Sequence, residues 1–394
     1  VLPFPAPMTM STLHQPKRPT LVGCGFVAWD VVLSDSLSVA YTGVGGTVGN
    51  VMSIMAFLGW HTVPVVRLGD DSAGVNILSE LVALGVDIRS ISLDSSLTTP
   101  VVYQYYKGSS GDHDFTFKCP HCGHARHYSD ALLSDLDPSV ELPLGGGDVY
   151  FFDRLTESSV SLAEQAIANG ALTVFEPSAL GSDKDLFLRA LRAAQVVKYS
   201  GERLATSAMP ELGAGFVEIQ TLGAAGLRFR MRSLDPTWVT ISSIQLSAVT
   251  DTAGAGDWCT AGFLHLVSKH LRGGMLSDLR YNHVYAALRA GQALAALNCQ
   301  HTGARGLMRH TESARIREVL YQLEHDAAQT VSRDSLSDWS DAVAAQVYRF
   351  TISDVAAYRK PAATALQCCY GNFGFARNAV AFGVWGDRHR GRPL

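Results

Sequence analysis

The stretch Asp251-Thr252-Ala253-Gly254-Ala255-Gly256-Asp257 runs directly into the apolar segment Trp258-Cys259-Thr260-Ala261-Gly262-Phe263-Leu264. Small residues let a backbone approach a ligand closely, and the first amides of a helix have no partner within it. The pattern predicts a loop that opens a buried helix and turns main-chain amides toward a bound anion. The alternative is an ordinary helix start capped by aspartate. A carboxylate at Asp257 is unfavourable beside an anion unless it has a chemical task, such as accepting a proton.

A second glycine-rich segment lies near the beginning of the chain, Gly43-Val44-Gly45-Gly46-Thr47-Val48-Gly49-Asn50. It leads into an apolar helical pattern that stops at Gly59, and Arg67-Leu68-Gly69-Asp70-Asp71-Ser72-Ala73-Gly74 then opens an amphipathic helix that ends at Gly85. In this order, the two glycine-rich segments resemble those of the ribokinase-like (PfkB) family of carbohydrate and nucleoside kinases. The resemblance covers about residues 21–306.

Composition limits the classes of partner. The chain has 394 residues, of which 47% are hydrophobic, so it can bury a large core. A net charge of -4 argues against nucleic acid or an anionic membrane as the main partner. No apolar run reaches the roughly 18 residues that span a bilayer. Residues 1–20 lack an apolar signal core and are expected to form a flexible arm. Seven scattered cysteines favour a reducing, cytoplasmic location.

From residue 21 onward, short apolar strands alternate with helical patterns. The strands are expected at 149–152, 172–175, 196–199 and 217–221. This alternation predicts an α/β fold with a central, mostly parallel sheet and helices on both faces. Such sheets bind ligands beyond the carboxyl ends of their strands.

The pattern also divides the chain into a kinase domain, two hairpins within it and a C-terminal extension. The kinase domain is expected over 21–310, with hairpins within 31–42 and 99–128. In the family, such strands form a small β lid over the sugar and often make dimer contacts, so a homodimer through the lid is expected. Residues 311–394 are a C-terminal extension of unknown role, which begins with a helix over 311–324.

The resemblance implies transfer of the ATP γ-phosphoryl group to a primary hydroxyl of a sugar or sugar derivative. In that reaction Asp257 accepts the hydroxyl proton, and the amides of Gly254, Ala255 and Gly256 form an anion hole. Two alternatives remain open. One is a nucleoside kinase of the same family, and the other is a catalytically weak sugar-sensing protein on a kinase scaffold.

The acceptor residues follow from the same resemblance. The family places an acidic residue at the position of Asp30 to hold sugar hydroxyls, and Asn50 is a plausible partner. The structural alternatives are that Asp30 is a turn residue and that Asn50 is a helix cap. The full expected set is Asp30, Gly45, Gly46, Asn50, Tyr103 and Tyr105, where the glycines leave room for the sugar. For the two tyrosines, β-propensity alone is the alternative explanation.

Arg154 follows a predicted strand directly, which places it in the crevice. A guanidinium there could bind a carboxylate or phosphate on the acceptor, and this would favour a sugar acid or sugar phosphate. The alternative is a simple pair with its neighbour, Asp153.

The nucleotide is expected to lie against the segments 198–203 and 221–226. The expected contacts are Lys198, Glu202, Thr221, Gly223, Gly226, Asp251 and Thr252. The first segment departs from the family, since Ser200 is followed by Glu202 where relatives carry Asn and, three residues later, Glu. Glu176-Pro177-Ser178 likewise stands where many relatives carry Asp-Pro-Asn. Magnesium is required to neutralise the phosphates. A potassium ion near Asp251 is a further possibility, as in some relatives.

The segment Cys119-Pro120-His121-Cys122-Gly123-His124 looks like half of a zinc knuckle. Cys119, Cys122 and His124 are the candidate ligands of a structural zinc ion, with His127, His113 or a second subunit completing the shell. The alternative is a free, redox-active pair of cysteines in a lid loop.

A dinucleotide-dependent oxidoreductase is the main rival enzyme class. Gly23-Cys24-Gly25-Phe26-Val27-Ala28 fits the G-x-G-x-x-A pattern. That pattern must open a helix, whereas residues 29–33 look extended.

Overall fold

Short strands that are buried along their whole length form the centre of the molecule. The computed structural model describes residues 18–33, 39–106, 113–134, 136, 142–204, 209, 217–231, 235–271 and 279–329. The strands are β1 Thr20–Cys24, β2 Ala28–Leu33, β3 Val39–Gly45, β4 His61–Pro64, β5 Val66–Gly69, β6 Ile91–Asp94, β7 Val101–Tyr106, β8 His113–Thr116, β9 Val149–Phe152, β10 Leu172–Phe175, β11 Val196–Ser200, β12 Val217–Thr221, β13 Leu227–Met231 and β14 Asp235–Ile241.

Helices connect many of these strands. They are α1 Thr47–Phe57, α2 Ser72–Ala83, α3 Glu157–Ala168, α4 Lys184–Arg192, α5 Ala255–Val267, α6 Tyr281–Asn298, α7 Gly306–His310 and α8 Ser313–Gln329. A short 3₁₀ turn, Gly223–Ala225, follows β12. Of these helices, none within the described residues is both long and apolar enough to cross a bilayer.

The main sheet has eight strands in the order β14-β13-β12-β11-β10-β9-β1-β4. The six strands from β12 to β4 are parallel, and β13 and β14 are antiparallel additions at one edge. Strands β9 and β10 are buried at every residue, as expected for central strands of a parallel sheet. The predicted α/β class with a mostly parallel sheet is therefore confirmed.

A second sheet of four strands has the order β3-β2-β7-β8. Its two antiparallel hairpins, β2–β3 and β7–β8, are joined by parallel pairing of β2 with β7, which sets Asp30 beside Val102. The chain after Gly25 enters strand β2 at Ala28, and no helix follows the G-x-G-x-x-A segment. The dinucleotide-binding interpretation is therefore excluded.

Helices α5 and α6 cross where both carry glycine. A Cβ atom on Gly262 would lie 2.7 Å from the Cα atom of Gly291, and one on Gly291 would overlap the carbonyl oxygen of Cys259. The two backbones approach so closely only because neither residue has a side chain. The helix that begins at residue 255 is thereby fixed against its neighbour.

Helix α8 packs its apolar face into the core. Ile316, Leu320 and Leu323 are fully buried at helical spacing, and Lys269 pairs with Glu324 at 2.6 Å. The start of the predicted C-terminal extension thus shares the core of the main fold. Residues 330–394 and 1–17 lie outside the described residues.

Candidate active site

The loop from residue 251 to 257 has a backbone that requires glycine at one point. Gly254 has φ +74°, in the left-handed region, and a Cβ atom there would overlap the carbonyl oxygen of Ala304. The fully buried Trp258 holds the same place, because its indole donates to that carbonyl at 3.1 Å and its amide donates to Gly254 at 2.9 Å. The amide of Ala255 donates to Thr252 at 3.2 Å. The loop is therefore shaped before any ligand binds.

Asp251 stabilises that loop from beneath. Its Oδ1 accepts from the amide of Ala253 at 2.9 Å, while its Oδ2 accepts from the side chain of Gln104 at 2.9 Å and from the amide of Gly303 at 2.7 Å. The residue is 1% exposed. The structure places it under the cavity described next, not among the residues that line it. The potassium ion near Asp251 stays a prediction.

A cavity of about 500 Å³ opens where the carboxyl ends of the main-sheet strands face the second sheet. Eleven of the predicted site residues line it: Asp30, Gly46, Asn50, Arg154, Lys198, Glu202, Thr221, Thr252, Gly254, Gly256 and Asp257. They come from segments spread over more than 200 positions of the chain. The position agrees with the rule that open α/β sheets bind ligands beyond their strand ends.

Asp257 lies half-buried in the first turn of α5. Burial raises the pKa of its carboxyl from 3.8 to about 8, and the negative charge of Glu176 adds to that effect. The amide of Asn50 donates to Asp257 Oδ2 at 2.7 Å, and this bond opposes the rise, as does the charge of Lys198. A carboxyl group with a pKa near neutrality can both accept and release a proton at ordinary pH.

Asn50 and Asp30 leave acceptor atoms available to a ligand. Asn50 is 5% exposed, and within the described residues its Oδ1 has no hydrogen-bond partner. Burial raises the pKa of Asp30 to about 7, the charge of Arg305 lowers it and that of Glu80 raises it. A Cβ atom on Gly45 would overlap the Asp30 carboxylate, so this glycine makes room for Asp30 without itself lining the cavity.

A buried arginine that the sequence did not reveal lies behind Asp30. Arg305 is 3% exposed, and its Nη2 donates to the hydroxyl of Tyr41 at 3.0 Å, the carbonyl of Val44 at 2.6 Å and Glu80 Oε1 at 2.6 Å. Glu80 Oε2 in turn accepts from the amide of Val44 at 2.8 Å. Arg305 thus ties strand β3 to the chain that follows Gly303 and Ala304.

The nucleotide side of the cavity contains a tightly paired lysine. Lys198 Nζ donates to Glu176 Oε1 at 2.6 Å and to the carbonyl of Gly256 at 3.3 Å. Thr260 donates to the other oxygen of Glu176 at 2.7 Å. The predicted contact Lys198 therefore connects β11 to the first turn of α5 and lines the cavity as part of an ion pair.

The two glycines of the turn after β12 shape its backbone and do not themselves contact the cavity. Gly223 and Gly226 have φ +57° and +105°, and they make the turn without lining the cavity, whereas Thr221 does line it. Glu202 is exposed in the cavity. Magnesium in nucleotide sites takes one or two carboxylates together with phosphates and water. Glu202 is a carboxylate of this kind in the cavity, whereas both oxygens of Glu176 are taken by Lys198 and Thr260.

Tyr103 and Tyr105 lie on the wrong face of strand β7 for the role predicted for them. Val102 and Gln104 line the cavity, and alternation along the strand turns the two tyrosines away from it. Tyr103 is fully buried in the core. The structure therefore does not bring either tyrosine to the acceptor side of the cavity.

The cysteine-rich segment forms a tight turn. The amide of Gly123 donates to the carbonyl of Cys119 at 2.8 Å, and the amide of Cys119 donates to the carbonyl of His124 at 2.8 Å. Cys119 is buried and Cys122 is exposed. In the part of the chain that the structure describes, no three His, Cys, Asp or Glu side chains are grouped to hold a metal ion. The zinc ion, which would need His127, His113 or a second subunit to complete its shell, stays a prediction.

Arg154 makes the pair with Asp153 and lines the cavity as well. Its Nη1 lies 2.7 Å from Asp153 Oδ2, and its guanidinium lies over the rings of Phe26 and Tyr128 at 4.7 and 5.1 Å. Phe26, Phe115 and Phe117 also line the cavity, and sequence reasoning missed them. Their alternation on and after β8 was the signal that could have found two of them.

Comparison with known proteins identifies the family of this chain and other structures with its fold. A family model described as pfkB family carbohydrate kinase matches residues 40–312, which is more than half of the chain. The chain belongs to the pfkB family of carbohydrate kinases. No curated protein sequence matches it.

Solved structures with the same fold include three sugar or riboside kinases. Aminoimidazole riboside kinase from Salmonella enterica, in complex with aminoimidazole riboside and an ATP analog, has a TM-score of 0.58 at 20% identity, covering 76% of this chain and 99% of its own. Fructokinase from Xylella fastidiosa with bound ATP has a TM-score of 0.58 at 19% identity, covering 78% and 99%. Fructokinase from Vibrio cholerae with fructose, ADP and calcium has a TM-score of 0.56 at 20% identity, covering 73% and 96%.

Proposed function

We propose that this protein transfers the γ-phosphoryl group of ATP to a primary hydroxyl of a sugar or sugar derivative, with Asp257 as the base. The observation that carries the proposal is the position of Asp257. Its half-buried carboxyl group has a pKa of about 8, lines the cavity and lies in the first turn of a helix, where main-chain amides favour an anion. Membership of the pfkB family and the ATP or ADP bound by similar kinases support the same reaction.

The acceptor is expected to lie between Asp30, Asn50 and Asp257. The carboxylate of Asp30 makes no hydrogen bond to any residue that the structure describes, and it can accept two from vicinal hydroxyls. Asn50 offers its Oδ1 to another hydroxyl while its amide holds Asp257 in place at 2.7 Å. A hydroxyl directed at Asp257 would lose its proton to that carboxylate as the oxygen attacks.

The amides at the start of α5 are the proposed anion hole. The hole was expected from the amides of Gly254, Ala255 and Gly256, but that of Ala255 donates to Thr252 at 3.2 Å. The amides of Gly256 and Asp257, in the first turn of α5, are therefore the ones proposed to hold the anion, where the helix dipole favours negative charge. When bound, ATP with magnesium supplies the phosphoryl group and offsets its charge. Glu202, Thr221 and Thr252 are the residues proposed to hold the nucleotide and its magnesium, and Lys198 positions the first turn of α5 through Gly256.

A nucleoside or riboside acceptor is the second candidate, because three phenylalanines, Phe26, Phe115 and Phe117, line the cavity. Aromatic rings stack well on planar bases. One of the similar structures is a riboside kinase, which makes this class of acceptor worth testing beside plain sugars.

The test is an ATP-consumption assay with a panel of sugars, sugar derivatives and nucleosides. At least one acceptor is expected to drive ADP formation, and Asp257→Asn is expected to slow it by about 10²-fold or more. Acceptor binding without turnover in the wild-type protein would contradict the kinase proposal and favour the sensor alternative. Normal turnover by Asp257→Asn would remove Asp257 as the base.

A further inference from the structure

Arg154 presents an unusual cation to the cavity. It follows strand β9 by two residues, lines the same cavity as Asp257, and its side chain is 19% exposed. Two further cations line the cavity: Lys198, which shares its charge with Glu176 at 2.6 Å, and Arg203, which lies in the 198–203 segment expected to contact the nucleotide. A neutral sugar would not require a further cation beside the acceptor site.

The guanidinium of Arg154 is held in a fixed plane. The rings of Phe26 and Tyr128 lie 4.7 and 5.1 Å from its central carbon. Among the described residues, the side chain of Arg154 donates hydrogen bonds only through Nη1. The acceptors are Asp153 Oδ2 at 2.7 Å, the Asp153 carbonyl at 3.0 Å and Ser178 Oγ at 3.2 Å. One corner of the guanidinium is therefore fully used for positioning.

The opposite edge of the guanidinium, formed by Nε and Nη2, is available to a ligand. Nε and Nη2 of Arg154 make no hydrogen bond to any residue that the structure describes. These two parallel N–H groups match the two oxygens of a carboxylate or phosphate. A lysine could not provide that fork, and a merely structural pair would not require this edge to remain available.

Asp153 does not cancel this preference. Its Oδ1 accepts from the amide of Phe26 at 2.8 Å and its Oδ2 binds Arg154, so the carboxylate is used up by the protein and is 2% exposed. Glu176, which also lines the cavity, is paired with Lys198 in the same way. What Arg154 offers an anionic acceptor is therefore its pair of N–H groups at Nε and Nη2, not an uncompensated charge.

We propose that the acceptor carries an acidic group, a carboxylate or a phosphate, which binds the Nε–Nη2 edge of Arg154 while its primary hydroxyl faces Asp257. The orientation of the hydroxyl toward Asp257 rests on the proposed kinase function, whereas binding of the acidic group to Arg154 does not. It assigns Arg154 the choice between charged and neutral acceptors.

The experiment measures binding and turnover separately in the full-length protein. Dissociation constants are measured by calorimetry, in the presence of a non-hydrolysable ATP analogue and magnesium, for gluconate against glucose and for fructose 6-phosphate against fructose. At least one anion is expected to bind about tenfold or more tightly than its neutral partner, since hydrogen bonds to charged groups are worth that much. The two pairs distinguish a carboxylate site from a phosphate site.

Variants make the assignment specific. Arg154→Gln is expected to remove the tenfold preference, and Arg154→Lys to keep only part of it. Arg89→Gln is the matched control, because Arg89 is 74% exposed and lies outside the cavity, so loss of its charge should leave both constants unchanged. Equal binding of anion and neutral partner, or equal weakening of both by Arg154→Gln, would overturn the proposal.

Turnover separates the two proposals. Phosphorylation of a neutral sugar with no preference for the anions would leave the kinase function standing and remove the role of Arg154. An Arg154-dependent preference in binding, without ADP formation from any acceptor, would keep the anion site and contradict the kinase.

Discussion

The two aspartates at the ends of the 251–257 loop have the same side chain and opposite surroundings. Asp251 is 1% exposed and accepts three hydrogen bonds, from Ala253, Gln104 and Gly303. Asp257 is half-buried, accepts one from Asn50, and has a pKa raised to about 8. A buried carboxylate with enough donors stabilises a loop, whereas one with few donors keeps a reactive proton. With the role proposed for Asp257, the comparison sets a structural aspartate and a reacting one within seven residues.

The largest effect is expected at Asp257. Asp257→Asn should reduce kcat by about 10²- to 10⁴-fold, because the acceptor hydroxyl loses its base. Folding should not suffer. Since the folded pKa of about 8 lies above the ordinary 3.8, the wild-type carboxyl costs stability as pH rises from about 4 to 8. The asparagine variant should therefore unfold at a higher temperature than wild type at pH 8, and the two should converge near pH 4. Steady-state kinetics and thermal melts measure both effects.

Gly254 comes next, because it fixes the loop between the two aspartates. Gly254→Ala adds a Cβ atom that overlaps the carbonyl of Ala304, so the loop must shift. A displacement of about 1 Å at the reacting groups can cost about 10²-fold in rate. Gly123→Ala is a matched control, since Gly123 has φ +72° and no atom within 4 Å of its added Cβ. Equal losses of activity in the two variants would show that backbone strain alone, not the Ala304 contact, matters.

Asp251→Asn should act on stability first. The amide cannot accept all three bonds, and leaving buried donors such as the Gly303 amide without an acceptor costs about 3 kcal/mol. Urea unfolding measures this loss, with the exposed Asp70→Asn as a control that should change stability by less than about 0.5 kcal/mol. A variant as stable as wild type, with only its turnover lost, would reverse the roles given to the two aspartates.

The smallest effect is expected at Asp30. Asp30→Asn should raise the acceptor KM about tenfold and leave the ATP KM unchanged, because a charged acceptor of hydroxyl bonds is lost. In the wild type the pKa of Asp30 is about 7, and only the ionised form accepts all of these bonds. Acceptor kcat/KM should therefore rise in two steps with pH. The first step, near pH 7, follows ionisation of Asp30, and the second, near pH 8, follows ionisation of Asp257 and leads to a plateau. The variant should lose the lower of the two steps. A profile that keeps both steps would contradict the assignment.

Local sequence patterns predicted the fold where packing follows local hydrophobicity. Short, mostly apolar runs matched strands β9 and β10 at both ends, because each is buried within the parallel sheet, and the alternating run of β12 was matched at both ends as well. The hairpin of β13 and β14 was not predicted. Its first strand alternates buried Leu227, Phe229 and Met231 with two arginines, a period-2 pattern that was present in the sequence.

The site was predictable where a motif is contiguous, and less so where distant parts of the chain meet. Gln104 reaches Asp251 across 147 positions and Arg305 reaches Glu80 across 225, so no local pattern announces either contact. Strand alternation shows that Tyr103 and Gln104 face opposite ways, but it does not say which face meets the cavity. Tertiary packing decided that, and it turned the tyrosines into the core.

The glycine crossing of α5 and α6 makes the region around the site vulnerable to changes far from it. Gly291 contacts Cys259, two residues after Asp257, and any larger residue there would push the helix that carries the carboxylate. A genetic screen for inactive alleles would therefore recover Gly291 substitutions together with those in the cavity itself. Residues that never meet a ligand would be scored as if they did.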